Sequence, residues 1–288
     1  MHLANQEEVV AISQYASYYY LGGKDTYEAI MAEPERNVKG YARIKRRSDD
    51  EYVRHNAAKF LPSQYADYYG HKVVERAFFS RLIPTSLELA DPIYRKTINI
   101  HLRQLLPQRC DAVIEICCGS GFQLCDLYYD LGCPDIPFYG CELSRWSNMA
   151  LTELTKMLGL RDFNPISMDI DNPDFSALEN LKNPFFFGIG ALVYAKPSPS
   201  KFFEKLLAAF TQFEYVLFEP ISHELAADLN ITPLFDRTRA EFYAFNLNLY
   251  YVIKENEKKG LIKIRKIIPD FIGPTYNSSY SLIHISRP

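Results

Sequence analysis

From Asp111 onward, short apolar runs alternate along the chain with segments whose apolar residues recur at helical spacing. The apolar runs predict strands at Ala112–Ile116, Ile136–Leu143, Pro165–Ile170, Phe185–Val193 and Tyr215–Glu219. The helical spacing predicts helices at Phe122–Leu131, Asn148–Leu160, Phe175–Leu181 and Lys201–Phe213. Strands that alternate with helices form βαβ units, so the pattern predicts a parallel sheet with helices on both faces.

The pattern changes after Glu219. A long loop leads to a predicted helix near Arg239–Lys258, which Gly260 ends. Two β-rich runs, Leu261–Ile268 and Tyr280–Ser286, close the chain. The linker of residues 269–279 holds two prolines and a glycine, which favour turns, so we expect the last two strands to pair antiparallel.

Residues 1–104 follow a third pattern. Apolar and aromatic residues at mixed three- and four-residue spacing predict amphipathic helices at Glu7–Leu21 and Tyr65–Leu82. Glycines and prolines between them break the segment into short pieces. We therefore predict a mainly helical N-terminal lid or substrate segment, residues 1–104, followed by an α/β domain of residues 105–288.

Tyrosine is dense in the N-terminal segment, and two interpretations stay open. The tyrosines can form packing faces of helices with their hydroxyls in water, or they can line a small-molecule pocket under a lid, since Tyr combines an apolar ring with a polar tip. They are Tyr15, Tyr18, Tyr19, Tyr20, Tyr27, Tyr41, Tyr52, Tyr65, Tyr68, Tyr69 and Tyr94.

Composition excludes several classes of protein. With 288 residues, 48% of them hydrophobic, the chain can build a full core, which excludes a disordered chain. The formal net charge is −3, and neither half carries a strong field of one sign, which argues against binding to a phosphate backbone. No apolar run approaches the length of a membrane helix, and the first residues lack the pattern of a signal peptide, so we expect a cytoplasmic protein.

All six cysteines fall between Cys110 and Cys141. Their spacings include no C-x-x-C pair, and no histidine is nearby, so the pattern does not favour a zinc site. A reduced thiol packs as a small apolar group. We interpret the cluster as core packing and expect no bound metal.

Four predicted strands end in residues suited to ligand binding. Gly119 and Gly121 follow the first strand, Glu142 ends the second, Asp169 ends the third, and the stretch of residues 188–191 ends the fourth. In open α/β sheets, ligands bind outside the carboxyl ends of the strands. A carboxylate at the end of the second strand can accept hydrogen bonds from ribose hydroxyls, and Asp169 can accept one from an exocyclic amine such as that of adenine.

These motifs together resemble those of class I S-adenosylmethionine-dependent methyltransferases of the small-molecule type. The family's first motif is matched from Glu115 to Gly121, with Cys117 where the first glycine is usual. Later motifs are matched, in order, by Tyr139–Ser144, Met168–Asp169, Phe187–Tyr194 and Tyr215–Pro220. The resemblance covers about two-thirds of the chain, from about Leu105 to the end.

The resemblance implies a seven-stranded, doubly wound, mostly parallel sheet with an antiparallel C-terminal strand, and S-adenosyl-L-methionine as cofactor with S-adenosyl-L-homocysteine as product. It implies that Glu115 reaches the methionyl amino group, Glu142 the ribose and Asp169 the adenine amine, while Leu143 packs on the ring. If Cys117 adopts a positive φ, it costs about 1–2 kcal/mol relative to glycine. The implied cofactor-binding residues are Glu115, Cys117, Gly119, Gly121, Glu142, Leu143, Met168, Asp169, Gly190, Ala191 and Tyr69.

Methyl transfer from a sulfonium is an in-line displacement, which a base near the acceptor assists. Candidate bases are Tyr194, Glu219 and His223, although a histidine at this position can also be a surface or capping residue. The charged residues that precede the last helix can bind an acceptor carboxylate or lie in solvent; they are Asp236, Arg237 and Arg239.

We therefore expect a methyltransferase that acts on a hydroxyl, nitrogen or carbon of a small molecule, as in natural-product biosynthesis. Two alternatives stay open: a peptide or protein methyltransferase, and a scaffold subunit that binds S-adenosylmethionine without catalysis. The expected partner is the small-molecule acceptor, with no nucleic acid and no membrane, and a homodimer is left open.

Overall fold

The computed structural model describes residues 73–288, apart from positions 79–80, 120, 133, 145–146, 149–150, 153–154, 156–159, 161, 235–236, 243–244 and 276–277. The strands of this part of the chain are β1 (Val73–Phe78), β2 (Arg81–Ser86), β3 (Ala112–Ile116), β4 (Phe138–Glu142), β5 (Phe163–Ser167), β6 (Pro184–Ile189), β7 (Glu214–Glu219), β8 (Lys263–Thr275) and β9 (Ser278–Ser286). The α-helices are α1 (Leu87–Leu105), α2 (Phe122–Asp130), α3 (Ser200–Ala209), α4 (Ser222–Leu229), α5 (Arg237–Phe242) and α6 (Leu249–Lys258).

The strands form one sheet in the order β2-β1-β8-β9-β7-β6-β3-β4-β5. Strands β3 to β7 run parallel to their neighbours, while β9 pairs antiparallel with β7 and β8 antiparallel with β9. The seven strands β3 to β9 thus form the doubly wound sheet with an antiparallel C-terminal strand, and the predicted fold class is confirmed. Strand β3 has β4 on one side and β6 on the other, so the order of the strands reverses there.

The central strands are buried on both faces, which explains their unbroken apolar runs. Successive side chains of β6 point to opposite faces: Phe186 packs in one core cluster with Phe202 of α3, and Phe187 packs in the other with Ile98 of α1. Burying each such phenylalanine contributes about 1.5–3 kcal/mol. The parallel strands are thereby fixed between two apolar layers, and their carboxyl ends share one edge, here called the carboxyl edge.

Helix α1 covers one face of the sheet. Ile98 and Leu102 are fully buried against it, while Lys96 and Arg103 point to solvent. Helix α1 agrees with the helical character predicted for residues 1–104 and ends beside the predicted domain boundary. The division into two domains stays a prediction. Among the residues described, no helix combines the length and the apolar character needed to cross a membrane.

The helix predicted at Tyr65–Leu82 is wrong over its described part. Strands β1 and β2 pair antiparallel, and β1 pairs with β8 through Phe78 and Ile272, so the sheet gains two strands beyond the predicted seven. The apolar residues of Val73–Phe78 have helical spacing, and the pairing of this segment with β2 and β8 overrides that local pattern. The predicted helix at Glu7–Leu21 lies outside the described residues.

Three boundaries after residue 174 also differ from prediction. The segment Phe175–Leu181 forms only a 3₁₀ turn, Ser176–Leu178. The single helix predicted at Arg239–Lys258 is divided into α5 and α6, because Asn246 binds the loop after β6 with its backbone N–H and its side chain. The linker predicted after Ile268 is largely strand, since β8 continues to Thr275 through irregular pairing.

The cysteines behave as small packing groups. Cys118, Cys125 and Cys141 are buried, and Cys110 and Cys117 are half-buried; all five are free thiols. Burial raises the pKa of Cys110 to about 11 and holds the pKa of the other four thiols well above the usual value, so all five stay protonated near neutral pH. The core-packing interpretation is confirmed for these five, while Cys133 lies outside the described residues.

Candidate functional site

A tight turn follows β3 at the point where the strand order reverses. Cys117, Gly119 and Gly121 have φ values of 56°, 55° and 75°, all in the left-handed region. The Gly121 N–H donates to the Cys118 carbonyl at 2.9 Å, and α2 begins immediately afterwards. The backbone strain expected for Cys117 therefore applies, at about 1–2 kcal/mol. Strain of this kind is concentrated at functional sites.

Glu142, at the end of β4, joins this turn to the next loop. Its Oε2 accepts a hydrogen bond from the Gly119 N–H at 3.0 Å, and its Oε1 accepts one from the Ser144 N–H at 2.9 Å. Burial raises the pKa of the carboxyl group, and the backbone N–H donors oppose that rise. The carboxylate predicted to bind ribose thus lies directly beside the glycine turn.

Glu115 lies one strand away, inside the sheet. Its side chain is buried, and its Oε2 has no hydrogen-bond partner among the described residues. Burial, and to a lesser extent the charge of Glu142, hold the pKa of its carboxyl group well above the usual range. A buried acceptor without a partner costs about 1–3 kcal/mol, which a hydrogen-bond donor or a cationic group would offset.

The residues predicted on the second and third strands line the same edge. Met168 is buried and donates its backbone N–H to the Glu142 carbonyl at 3.1 Å. The Oδ1 of Asp169 accepts the Asp171 N–H at 2.9 Å, and Asp171 in turn accepts the Lys196 N–H at 2.6 Å. These bonds tie together the loops after β4, β5 and β6. Leu143 is half-buried beside them.

Gly190 and Ala191 follow β6 at the carboxyl edge. Gly190 has a φ of 60°, and a Cβ atom there would lie 2.8 Å from the Tyr280 hydroxyl oxygen. Tyr280 also makes an edge-to-face contact with Tyr94 of α1, with ring centroids 6.5 Å apart. Sequence reasoning did not select Tyr280, because only the register of β9 against β7 brings it across to Gly190.

Glu219, predicted as a base, is completely buried under the loop after β6. Its Oε1 accepts the N–H groups of Ala191 at 3.0 Å and Leu192 at 2.8 Å, and its Oε2 accepts that of Val193 at 3.4 Å. Burial raises the pKa of the carboxyl group to about 8, against the opposing effect of these donors. In this arrangement its oxygens face the backbone of the loop.

The other two candidate bases lie in different surroundings, Tyr194 in this loop and His223 after β7. Tyr194 is 44% exposed, and its ring packs edge-to-face on Phe245 with centroids 5.0 Å apart. His223 lies in the first turn of α4 with a side chain 6% exposed, and its Nε2 is 4.0 Å from Glu224 Oε1. Of the two, only the Tyr194 side chain extends well into solvent.

The fold and the placement of these residues can now be compared with known proteins. No protein-family model matches the chain, and neither does any curated protein. Among solved structures, the cyclase SpnF aligns over 82% of this chain and 95% of its own, with a TM-score of 0.52 and 11% identity. A SAM-dependent methyltransferase from Aquifex aeolicus aligns over 70% of this chain and 96% of its own, with a TM-score of 0.45 and 14% identity.

A third solved structure is the magnesium protoporphyrin IX methyltransferase of Synechocystis PCC 6803 with bound SAH. It aligns over 70% of this chain and 86% of its own, with a TM-score of 0.45 and 15% identity. The sheet order and the antiparallel last strand decide the architecture. The chain has the class I methyltransferase fold. In this class I sheet, the turn after β3 and the ends of β4, β5 and β6 share one edge.

The structure leaves some predicted residues without a placement. Tyr69 and Asp236 lie outside the described residues, and the side chain of Arg239 is not described. Arg237 is largely exposed and forms an ion pair with Glu241 at 2.9 Å on the surface of α5. This contact corresponds to the alternative in which the charges before the last helix are solvated.

Asp270 is a further residue of this class I domain that sequence reasoning missed. It lies at an irregularity of β8, has a φ of 45°, and is buried. Its Oδ2 accepts the Leu234 N–H at 2.9 Å, and its own N–H donates to Ser281 Oγ at 3.2 Å. Nothing local in the sequence marks it, since the bulge depends on the pairing of β8 with β9.

The buried carboxyl groups predict how stability depends on pH. Burial raises the pKa of Glu219 to about 8 and that of Glu224 to about 7, both above the ordinary glutamate value of 4.5. Between pH 5 and pH 8 the folded state therefore binds more protons than the unfolded state, so the free energy of unfolding falls as the pH rises. A tenfold difference in proton affinity between the folded and the unfolded state corresponds to about 1.4 kcal/mol. We therefore expect the free energy of unfolding to fall by several kcal/mol between pH 5 and pH 8.

Urea denaturation at intervals from pH 5 to pH 8 measures this effect. The Glu224→Gln variant lacks one of the two raised carboxyl groups. The stability of this variant should therefore depend less steeply on pH than that of wild type, mainly below pH 7. A wild-type protein whose stability rises steadily over this range would contradict the burial of these carboxyl groups.

Proposed function

We propose that this protein is a methyltransferase that uses S-adenosyl-L-methionine and transfers the methyl group to a small molecule. The observation that carries the proposal is the position of Glu142, whose carboxylate is held beside the Gly119–Gly121 turn where the strand order reverses. Ligands of open α/β sheets bind at this point, and a carboxylate there suits the hydroxyls of a ribose. The class I fold supports the proposal, since the sheet brings the predicted cofactor residues to one edge.

The residues present fit this cofactor. The unpartnered Glu115 Oε2 is an acceptor that the methionyl ammonium group would satisfy, and Glu142 has the charge that two ribose hydroxyls require. Asp169 would accept the adenine amine, and Leu143 would pack on the ring. When bound, S-adenosylmethionine supplies a methyl group activated by its sulfonium.

The chain's own part in the reaction is to orient the acceptor and to exclude water from it. Tyr194, in the loop after β6, and His223, in the first turn of α4, are the candidates for holding or removing the acceptor proton. We propose that the acceptor is a small molecule encountered in the cytoplasm, without nucleic acid or membrane as partner. A phenol or another planar hydroxyl compound would suit the aromatic pair Tyr94 and Tyr280.

Methyl transfer can be measured with S-adenosylmethionine labelled at the methyl carbon. The protein is incubated with panels of phenols, amines and activated carbon acids, and label is counted in the extracted products. We expect labelled product from at least one panel, and at least a hundredfold less from the Glu142→Ala variant. Tight cofactor binding with no labelled product from any panel would contradict the proposed transferase activity.

A second candidate function comes from the comparison with SpnF. That protein shares the fold at a TM-score of 0.52, and it is described as a cyclase. The fold thus also occurs in a protein named for another reaction, which favours the alternative left open by the sequence: a protein that binds S-adenosylmethionine without transferring its methyl group. Measuring S-adenosylhomocysteine alongside the product separates the two candidates. Only a methyltransferase forms S-adenosylhomocysteine at the same rate as the product.

A further inference from the structure

The loop after β6 directs three consecutive backbone N–H groups at one carboxyl group. Ala191 and Leu192 donate to Glu219 Oε1 at 3.0 and 2.8 Å, and Val193 donates to Oε2 at 3.4 Å. All four residues have a relative exposure of 0%. The donors therefore have no water as an alternative partner.

This loop borders the crevice at which the strand order reverses. Gly188 pairs with Ile116 in the register of β6 and β3, so the residues that follow Gly188 lie beside the turn that begins at Cys117. The Gly190 N–H donates to the Phe218 carbonyl at 2.8 Å, which fixes the first residue of the loop to β7. Glu142 is bonded to the same turn through the Gly119 N–H at 3.0 Å, and burial together with the charges of Glu142 and Glu219 raises the pKa of the Cys117 thiol.

We propose that Glu219 is a positioning residue: by holding the Ala191 N–H it sets the position of the neighbouring, half-buried Gly190, which forms one wall of the cofactor crevice. This inference rests on the proposed function and replaces the predicted role of Glu219 as a base. A carboxyl group with no exposed surface cannot touch an acceptor. The oxygens of Glu219 instead accept hydrogen bonds from the backbone of the loop. Without the carboxyl group, three buried N–H groups would have no acceptor, so the loop would adopt another conformation.

The other side of the loop is held independently. The Asn246 N–H donates to the Val193 carbonyl at 2.6 Å, and its Nδ2 donates to the Ala195 carbonyl at 3.1 Å. Removing Glu219 should therefore disturb residues 190–192 more than residues 193–195. The expected disturbance is local to the wall of the crevice.

Isothermal titration with S-adenosylhomocysteine tests the proposal in the full chain. We expect Glu219→Ala to lower the affinity at least tenfold. Glu219→Gln keeps one carbonyl oxygen for the Ala191 and Leu192 donors, so it should lose less than threefold. The matched control is Glu224→Ala, which removes another buried carboxyl group, bonded to the Tyr250 N–H at 2.8 Å, and should change the affinity less than twofold.

A purely structural role would make Glu219→Ala and Glu224→Ala alike in affinity once both are folded, and that result would overturn the proposal. Failure of wild type to bind S-adenosylhomocysteine would instead overturn the proposed function. If Glu219→Ala does not fold, hydrogen–deuterium exchange of wild type still decides. The amides of Ala191 and Leu192 should be protected before ligand is added, and rapid exchange there would contradict the proposal.

Discussion

Replacing Glu142 by alanine should lower the affinity for S-adenosylhomocysteine at least a hundredfold. The variant loses the charged acceptor for two ribose hydroxyls, and hydrogen bonds to charged groups are worth about 1.5–3 kcal/mol each. It also frees the N–H groups of Gly119 and Ser144, which the carboxylate holds at 3.0 and 2.9 Å, so the turn loses its link to the loop after β4. Isothermal titration at neutral pH measures the change.

Glu179→Ala is the control for this prediction, because Glu179 is exposed and forms no part of the carboxyl edge. Its affinity should equal that of wild type. An affinity for Glu142→Ala within threefold of wild type would show that the carboxylate does not contact the ligand.

The second large effect is expected from Gly121→Ala. A Cβ atom at this position would lie 2.3 Å from Leu151 Cδ1, and the φ of 75° is strained for any residue with a side chain. The left-handed conformation costs about 1–2 kcal/mol, and overpacking a buried site adds about 1–3 kcal/mol. We therefore expect the free energy of unfolding to fall by about 2–5 kcal/mol, as measured by urea denaturation.

Gly132→Ala separates the two contributions to this loss. Gly132 has a φ of 78°, but a Cβ atom there would have no neighbour within 4 Å, so the variant should show the backbone cost alone. In a Leu151→Ala background, Gly121→Ala should cost less free energy of unfolding than it does in wild type, since the colliding side chain is absent. Equal losses for Gly121→Ala and Gly132→Ala would contradict close packing at the turn.

The parallel core could be predicted from the sequence because its signals are local. The strands β3, β6 and β7 are mainly apolar, and each of the five parallel strands ends in or is followed by a glycine or a carboxylate where the chain leaves the sheet. Residues at the carboxyl ends of parallel strands meet at one edge whatever the details of packing. The position of Glu142 beside the glycine turn follows from this rule.

The parts that sequence reasoning missed depend on contacts between distant segments. Strand β1 forms although its apolar residues have helical spacing, because it pairs with β2 and with β8. The contact of Tyr280 with Gly190 requires the register of β9. The three donors around Glu219 come from residues 26 to 28 positions earlier in the chain, so no motif marks that carboxyl group as a partner of the backbone.

Buried carboxyl groups were also difficult to interpret from the sequence. Glu219 follows a strand at the carboxyl edge, which is the usual place of a catalytic group in this fold. Its burial and its three donors are instead typical of a residue that fixes a loop. Asp270 could not be selected from the sequence for a similar reason. It lies at an irregularity of β8 that arises only when β8 and β9 pair.

The most direct test of the proposed cofactor site is a crystal structure of the protein with S-adenosylhomocysteine. We predict that the ligand lies across the carboxyl edge, with its ribose hydroxyls within hydrogen-bond distance of Glu142 and its adenine amine near Asp169. The methionyl end should extend toward Glu115 and Gly190. A ligand bound away from the Gly119–Gly121 turn, or no bound ligand at saturating concentration, would contradict the proposed site.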